Sequence, residues 1–539
     1  MKRIFQFLPL LIVVGCFQFL AAAQASRAAR IALPPMGWSS WNSFSNTINS
    51  AITVAQANAL HSSGLQKAGY VYVNIDEGWW VGERDSAGNI VVDPKAWPAI
   101  EPGERAGDMS NIVRYIHSLG LKAGIYTDAG KDGCSMYPDI GPAYFHTGSE
   151  GHYEQDFLQF ARWGFDYVKV DWCGGAKENL DPDFQYGEIA RAIARAEKIT
   201  GRKLYFSICE WGKDSPFTWA PGVGGADQAI WRTGGDIVAP VVAAGPHTER
   251  KVSLENMLRN FDRNYHPEAQ HTGYYNDADM MVVGMPSLNA AQNRLHLALW
   301  AMAGAPLLIG ADVTALDAAT LADLTNPELI AIDQNPLGLE AVKVAENGPG
   351  LEVWSKFLSA DGERAVLLLN RTYFPAPMSV RWKDLGLTGS EATVREVWTE
   401  KTSAGIKDKY EATVPPQDAV LLLVNGTEGL FAHYTPDATD KDSDGSETRF
   451  SGIAASAATF VPVRIEYRNP TVETRIAALR VNEQASTRIA LPPTGANGSS
   501  VWIQVRLDRH ENSNRIRFTE PANVRIESIE VNQATGAGM

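Results

Sequence analysis

From Ile31 to about Asp333 the apolar positions of the chain follow two alternating rhythms. Short apolar runs at Tyr70–Ile75, Leu121–Tyr126, Tyr167–Val170, Leu204–Ile208, Ala229–Trp231, Met280–Val283 and Pro306–Ile309, with a first near Met36–Trp41, predict eight strands. Between them, apolar residues recur three and four apart: Val54, Ala57 and Leu60 before Gly64; Met109, Ile112, Val113, Ile116 and Leu119 before Gly120; Tyr186, Ile189 and Ile193 before Gly201. A helix packed on a sheet needs that spacing, and a closing glycine suits its end. Eight strands alternating with helices predict an α/β fold, a (β/α)8 TIM barrel over residues 26–335, ahead of a doubly wound open sheet.

Past Asp333 the rhythm changes. Runs at Leu351–Phe357, Arg364–Leu369, Thr393–Trp398 and Ala419–Val424 predict a small antiparallel β-sandwich over 336–427. The polar stretch 428–452 reads as a linker. Within it Asp440-Lys-Asp-Ser-Asp-Gly445 imitates half a calcium loop, but Ser451 stands where the closing glutamate belongs. Six further strand-like runs between Val463 and Val531 predict a second all-β module over 453–539.

Composition narrows the class. The 539 residues carry 48 basic and 62 acidic side chains, a net charge of −14, which argues against a nucleic-acid partner. Residues 1–25 have the layout of a secretory signal: Lys2 and Arg3, an apolar stretch from Leu8 to Ala23, then Ala23-Gln-Ala25. The apolar stretch runs past Cys16, which favours cleavage over lipidation. The expected product is a secreted or periplasmic protein with no membrane span after cleavage. Cys134, Cys173 and Cys209 remain, enough for one disulfide at most, and spacing leaves the pair open.

Candidate chemistry gathers at the strand ends. Asp76 and Glu77 close the second strand, Tyr126 and Asp128 the third, Lys169 and Asp171 the fourth, and Cys209-Glu-Trp211 the fifth. Trp231-Arg-Thr-Gly-Gly-Asp236 follows the sixth, and Asn276-Asp-Ala-Asp-Met280 lies near the seventh. In an α/β barrel these are the positions that reach the active face. Carboxylates accept hydrogen bonds from vicinal hydroxyls and indoles stack on the C–H face of a pyranose, so the set suits a sugar. A lone strand-end aspartate is more often a loop cap. Neither a phosphate loop nor a zinc-spaced histidine pair occurs, and His146, His152 and His271 read as loop residues.

Seven segments, Pro34-Pro-Met-Gly-Trp-Ser-Ser-Trp-Asn42, Asn74-Ile-Asp-Glu-Gly-Trp79, Gly124-Ile-Tyr-Thr-Asp-Ala-Gly130, Val168-Lys-Val-Asp-Trp-Cys173, Ser207-Ile-Cys-Glu-Trp-Gly212, Trp231-Arg-Thr-Gly-Gly-Asp236 and Asn276-Asp-Ala-Asp-Met280, resemble in order the motifs of glycoside hydrolase family 27, the α-galactosidases. The resemblance covers about Ile31 to Gly426 and implies a retaining glycosidase that needs no cofactor or metal. It implies Asp171 as nucleophile and Asp236 as general acid/base, the latter with a pKa raised by burial or a neighbouring carboxylate. Lys169, on the same strand face as Asp171, would keep the nucleophile ionised. Trp41, Asp76, Glu77, Tyr126, Lys169, Cys209, Trp211, Arg232, Asp279 and Met280 fall at sugar-lining positions, and Cys134 with Cys173 at a disulfide, leaving Cys209 a buried thiol.

One motif departs from the family. Where α-galactosidases have Asp-Asp-Cys-Trp, this chain has Asp76-Glu-Gly-Trp79. Glu77 carries an extra methylene toward the space of the galactose C6 hydroxymethyl group. A β-L-arabinopyranoside keeps the ring stereochemistry without C6, and its hydrolysis is a known family activity. The expected activity is release of terminal β-L-arabinopyranosyl and/or α-D-galactosyl residues from oligo- or polysaccharides, with plain α-galactosidase as alternative and a non-catalytic sugar-binding protein as a remote one. The last module loosely resembles carbohydrate-binding modules of families 6 and 35, with Trp502 and Tyr467 as candidate sugar contacts or core.

Overall fold

The structure, a computed structural model, describes residues 31–137, 144–238, 252–286, 288–442, 445–455 and 458–532. Residues 1–25, read as a signal, and Cys16 lie outside them. Eight parallel strands form one sheet: β1 Met36–Ser39, β2 Tyr72–Asn74, β3 Lys122–Asp128, β4 Tyr167–Asp171, β5 Tyr205–Cys209, β6 Ala229–Arg232, β7 Tyr274–Asp277 and β8 Leu307–Ile309. Their spatial order is β8-β1-β2-β3-β4-β5-β6-β7. A parallel bridge between Met281 and Ile309 joins the two ends and closes the barrel.

Helices cover the outside. α1 (Ser50–Ser62) is capped by the Asn49 side chain, which accepts the Ile52 N–H at 3.0 Å. α2 (Ser110–Ser118) buries Ile112, Val113 and Ile116. α3 (Tyr153–Trp163) and α4 (Pro182–Thr200) end on Gly164 and Gly201 with φ of 98° and 71°, conformations in which a glycine avoids Cβ strain.

Strand alternation decides what faces inward. On β4, Val168 and Val170 are fully buried toward the helices, while Tyr167, Lys169 and Asp171 take the other face. Tyr72, Tyr167, Tyr205 and Tyr275 pack with Ile230 as an aromatic floor, and Tyr167 and Tyr205 stack at 5.9 Å. The polar residues two positions further along each strand therefore form a layer toward the strand C-termini, where loops leave an opening.

The seventh strand differs from the expected Met280–Val283 and lies at Tyr274–Asp277. Asp277 Oδ1 accepts the Asp279 N–H at 2.9 Å, Asp279 Oδ1 accepts the Met280 N–H at 2.7 Å, and Asp279 has φ of +88°. These local bonds turn the chain out of the sheet. The run Met280–Val283 is buried, and only Met281 pairs, in the single bridge to Ile309, so its hydrophobicity reflects depth more than strand pairing.

Residues after the barrel form a six-stranded antiparallel sheet, with outer strands Val342–Gly348 and Thr402–Lys407, facing a pair at Ala376–Arg381 and Lys409–Val414. The expected linker at 428–452 is instead woven into the last module. Phe431–Tyr434 pairs with Arg525–Asn532, and Ala438–Asp442 pairs with Gly445–Ala455 in a register that sets Asp442 opposite Gly445. Phe450 enters the module core between the exposed Arg449 and Ser451, polar neighbours of the kind that made the stretch read as a linker.

That module packs on both preceding domains. Trp502 lies against Phe357 and Phe431, with ring centroids at 5.2 and 5.6 Å, and Tyr467 is fully buried, donating its hydroxyl to the Pro492 carbonyl. Tyr467 serves as core, and Trp502, half-buried, packs across the domain boundary. On the barrel side His271 Nε2 meets the Arg488 carbonyl at 3.1 Å, and Arg488 pairs with Asp183 and donates to the Trp219 carbonyl.

Burial pushes the His271 pKa down from 6.5 to about 4. A folded value below the unfolded one gives stability that is complete above about 6.5 and lost as pH falls toward 4, about 3 kcal/mol in total. The thermal midpoint is expected to fall across that window, and His271→Gln to flatten the fall; an undiminished slope in the variant would place the loss elsewhere. Among the described residues no helix is long and apolar enough to cross a membrane.

Candidate active site

Strand β4 delivers Lys169 and Asp171 to the barrel interior two residues apart. Lys169 Nζ lies 3.0 Å from Asp76 Oδ2 and 3.7 Å from Asp171 Oδ2, so one ammonium bridges the ends of β2 and β4. Burial opposes the charge on Lys169, yet the acids around it, Asp76 foremost, outweigh burial and hold its pKa well above the ordinary value. Burial raises Asp171, the Lys169 ammonium lowers it, and Asp236 and Asp76 add to the rise. Lys169 opposes that rise from 3.7 Å, the longer of its two carboxylate contacts, and the Asp171 carboxyl stays above its ordinary range. Asp171 Oδ1 also accepts the Trp172 N–H at 3.0 Å.

A second charged group stands at the end of β6. Arg232 is 4% exposed and donates to Asp236 Oδ1 at 3.1 Å and to the Gly234 carbonyl at 3.0 Å, and it pairs with Asp279 Oδ2 at 3.0 Å. Asp279 is lifted to about 6 by burial despite that guanidinium. The burial expected of Asp236 is not found: its side chain is 42% exposed on the Gly234-Gly235 loop.

Asp76, Lys169, Cys209, Arg232, Asp279 and Met280, six of the expected residues, line one cavity of about 20 Å³ above the tyrosine floor. That volume holds a water, not a sugar ring. Cys209 is a buried free thiol whose Sγ accepts from Arg232 at 3.8 Å. Burial pushes that thiol well up. Tyr126 is buried beside the Lys169 ammonium, 5.2 Å from ring centroid to Nζ, and its hydroxyl has no protein partner. Trp41, at the start of the short helix Trp41–Phe44 after β1, and Trp211, in the turn after β5, are part-exposed.

Cys134 and Cys173 form the disulfide, which tethers the loop after β3 to the chain just past Asp171. Trp211 packs against it. Asp128 and Asp171 lie within 4.8 Å of those sulfurs. Four such groups have the look of a metal site, but sulfurs joined to each other are not thiolate ligands.

Glu77 is 1% exposed, and its Oε1 accepts the Ser135 N–H at 2.7 Å. Burial pushes its carboxyl well above the usual range, with the Ser135 N–H opposing and Asp171 adding to the rise. Sequence reasoning missed Asp277, which shares the cavity and orients Asp279, although it stands in the same motif; the spacing of two along β7 was the available signal. It also missed Gly133 and Ser135, the neighbours of Cys134, which carry no charge to draw notice.

The family model for α-galactosidase A matches residues 33–335, and that for the α-galactosidase C-terminal β-sandwich domain matches 348–424. This chain belongs to the α-galactosidase family, glycoside hydrolase family 27. An α-galactosidase from Oryza sativa is 37% identical over 393 residues, covering 72% of this chain and 84% of its own length. The crystal structure of α-galactosidase I from Mortierella vinacea is 28% identical with a TM-score of 0.62, over 73% of this chain and 97% of that one. A family 27 β-L-arabinopyranosidase from Geobacillus stearothermophilus, solved with arabinose, has the same TM-score of 0.62 at 22% identity, over 73% of this chain and 97% of that one, which shows a shared fold. The chain is accordingly a glycoside hydrolase with an α-galactosidase barrel and sandwich. Residues 447–531 match an α-galactosidase CBM13 domain, which replaces the expected likeness to families 6 and 35.

Proposed function

We propose that the mature chain is an exported, retaining exo-glycosidase that releases terminal β-L-arabinopyranosyl residues and retains α-D-galactosidase activity. The observation that carries this reading is Glu77: a buried carboxylate, one methylene longer than the family's aspartate, beside the nucleophile candidate. Asp171 attacks the anomeric carbon while Asp236 gives its proton to the departing glycosidic oxygen, forming a covalent glycosyl-enzyme. Asp236 then takes a proton from water, whose oxygen displaces Asp171 with net retention. Carboxyl groups about 5–5.5 Å apart suit this course. Lys169 and Asp76 bind glycone hydroxyls, Arg232 and Asp279 hold the acid/base side, and Trp41 stacks beneath the ring. The N-terminal signal pattern and the disulfide both fit an oxidising compartment.

Plain α-galactosidase is the second reading, favoured by the α-galactosidases among the relatives and by the retreat of the Glu77 carboxylate toward Ser135. Comparing kcat/KM on aryl β-L-arabinopyranoside and aryl α-D-galactopyranoside decides between them. We expect the arabinopyranoside to be preferred, and Glu77→Asp to move the ratio toward galactoside by about tenfold, the scale of one methylene in a pocket. A galactoside preference that Glu77→Asp leaves alone would establish the second reading.

A further inference from the structure

A glutamate at the end of β2 needs room that an aspartate does not, and a loop outside the sugar motifs supplies it. Glu77 Oε1 reaches the Ser135 N–H at 2.7 Å. The same oxygen is 2.6 Å from where a Cβ on residue 133 would stand, and the Thr147 hydroxyl is 2.9 Å from that point. Gly133 has φ −86° and ψ −176°, extended backbone that any residue adopts, so its conformation does not call for glycine. What the missing side chain leaves is space for the carboxylate. The loop is held on both sides of that space: Thr147 Oγ1 accepts the Gly133 N–H at 2.8 Å, and Cys134 is bonded to Cys173.

We propose that Gly133 is a specificity-determining residue: it opens a cradle, closed by the Ser135 N–H, into which the Glu77 carboxylate withdraws so that the pocket still admits the C6 group of galactose. The inference rests on the reading that both glycones are accepted and that residue 77 faces C6. An aspartate is one carbon–carbon bond, about 1.5 Å, shorter and has no use for the cradle. Held in it, the Glu77 chain narrows the C6 space without filling it. Denied it, the carboxylate turns back into the pocket, where galactose has a hydroxymethyl group and arabinopyranose has none.

Four full-length mature proteins test this: wild type, Gly133→Ala, Glu77→Asp and the double variant, assayed on both aryl glycosides and by thermal unfolding. Gly133→Ala is expected to lower kcat/KM for galactoside about tenfold more than for arabinopyranoside. In the Glu77→Asp background it should leave the ratio within about twofold, because the contact partner is gone. The thermal midpoint should drop further in the first background than in the second; the Thr147 contact is common to both and cancels. A ratio unmoved by Gly133→Ala, moved equally in both backgrounds, or moved toward galactoside overturns the cradle. If Glu77→Asp alone does not move the ratio, the reading of Glu77 fails first and the inference with it. Should Gly133→Ala not fold, folding of the double variant supports the cradle, and failure of both overturns it.

Discussion

Replacing Asp171 by asparagine is expected to lower kcat on either glycoside by about four orders of magnitude, with the fold intact. Asparagine matches aspartate in shape but offers no carboxylate to attack the anomeric carbon. The loss belongs to the chemical step, because Lys169 keeps Asp76 as its nearer partner at 3.0 Å and stays in place without the Asp171 charge. KM should change little and the thermal midpoint should hold or rise, since Asp171 is a buried acid whose ionisation burial disfavours. Steady-state rates with active-site titration make the measurement. An asparagine variant retaining more than about a hundredth of wild-type activity would remove Asp171 from the nucleophile's role and turn attention to Asp128 on the neighbouring strand or Asp76 past the end of β2.

Asp236→Asn should produce the second-largest effect, and its size should depend on the leaving group. With a natural sugar as aglycone, departure needs a proton, and loss of the general acid should lower kcat by about a thousandfold. With a nitrophenol, departure needs little help; the glycosyl-enzyme forms and then waits, because the base that activates water is missing too. A burst of nitrophenolate equal to the enzyme concentration, followed by slow turnover, is the expected trace. A uniform loss across leaving groups would instead assign Asp236 to binding. Its placement on an exposed glycine loop, tied to Arg232, fits a group that must meet an aglycone and then water.

The order of strands and helices was legible because burial imposes its period directly on the residues. The carboxylates at the ends of β2, β4 and β6 were legible as well, since a charge after an apolar run has few places to go but a strand mouth. Two stretches misled. Met280–Val283 has the apolar content of a strand, but Asp277 and Asp279 capture the backbone N–H groups ahead of it. Residues 428–452 have the polarity of a linker, but Phe450 enters a core whose other walls are supplied from far along the chain. Trp502 could not be assigned in advance, because its partner Phe357 belongs to another domain.

Sequence by itself determined the barrel, the sandwich and the family, and it set Asp76, Lys169, Arg232 and Asp279 among the residues of one strand-end cavity, because periodicity and strand-end chemistry are local properties. Tertiary structure alone decided how those side chains are spent. It bridged Asp76 and Asp171 through Lys169, left Asp236 exposed on Arg232, and drew the Glu77 carboxylate to Ser135 across a glycine. Each of these depends on distances between residues remote in the chain, and the energy of a charge or a hydrogen bond is a function of such distances and of burial, neither of which a linear pattern contains.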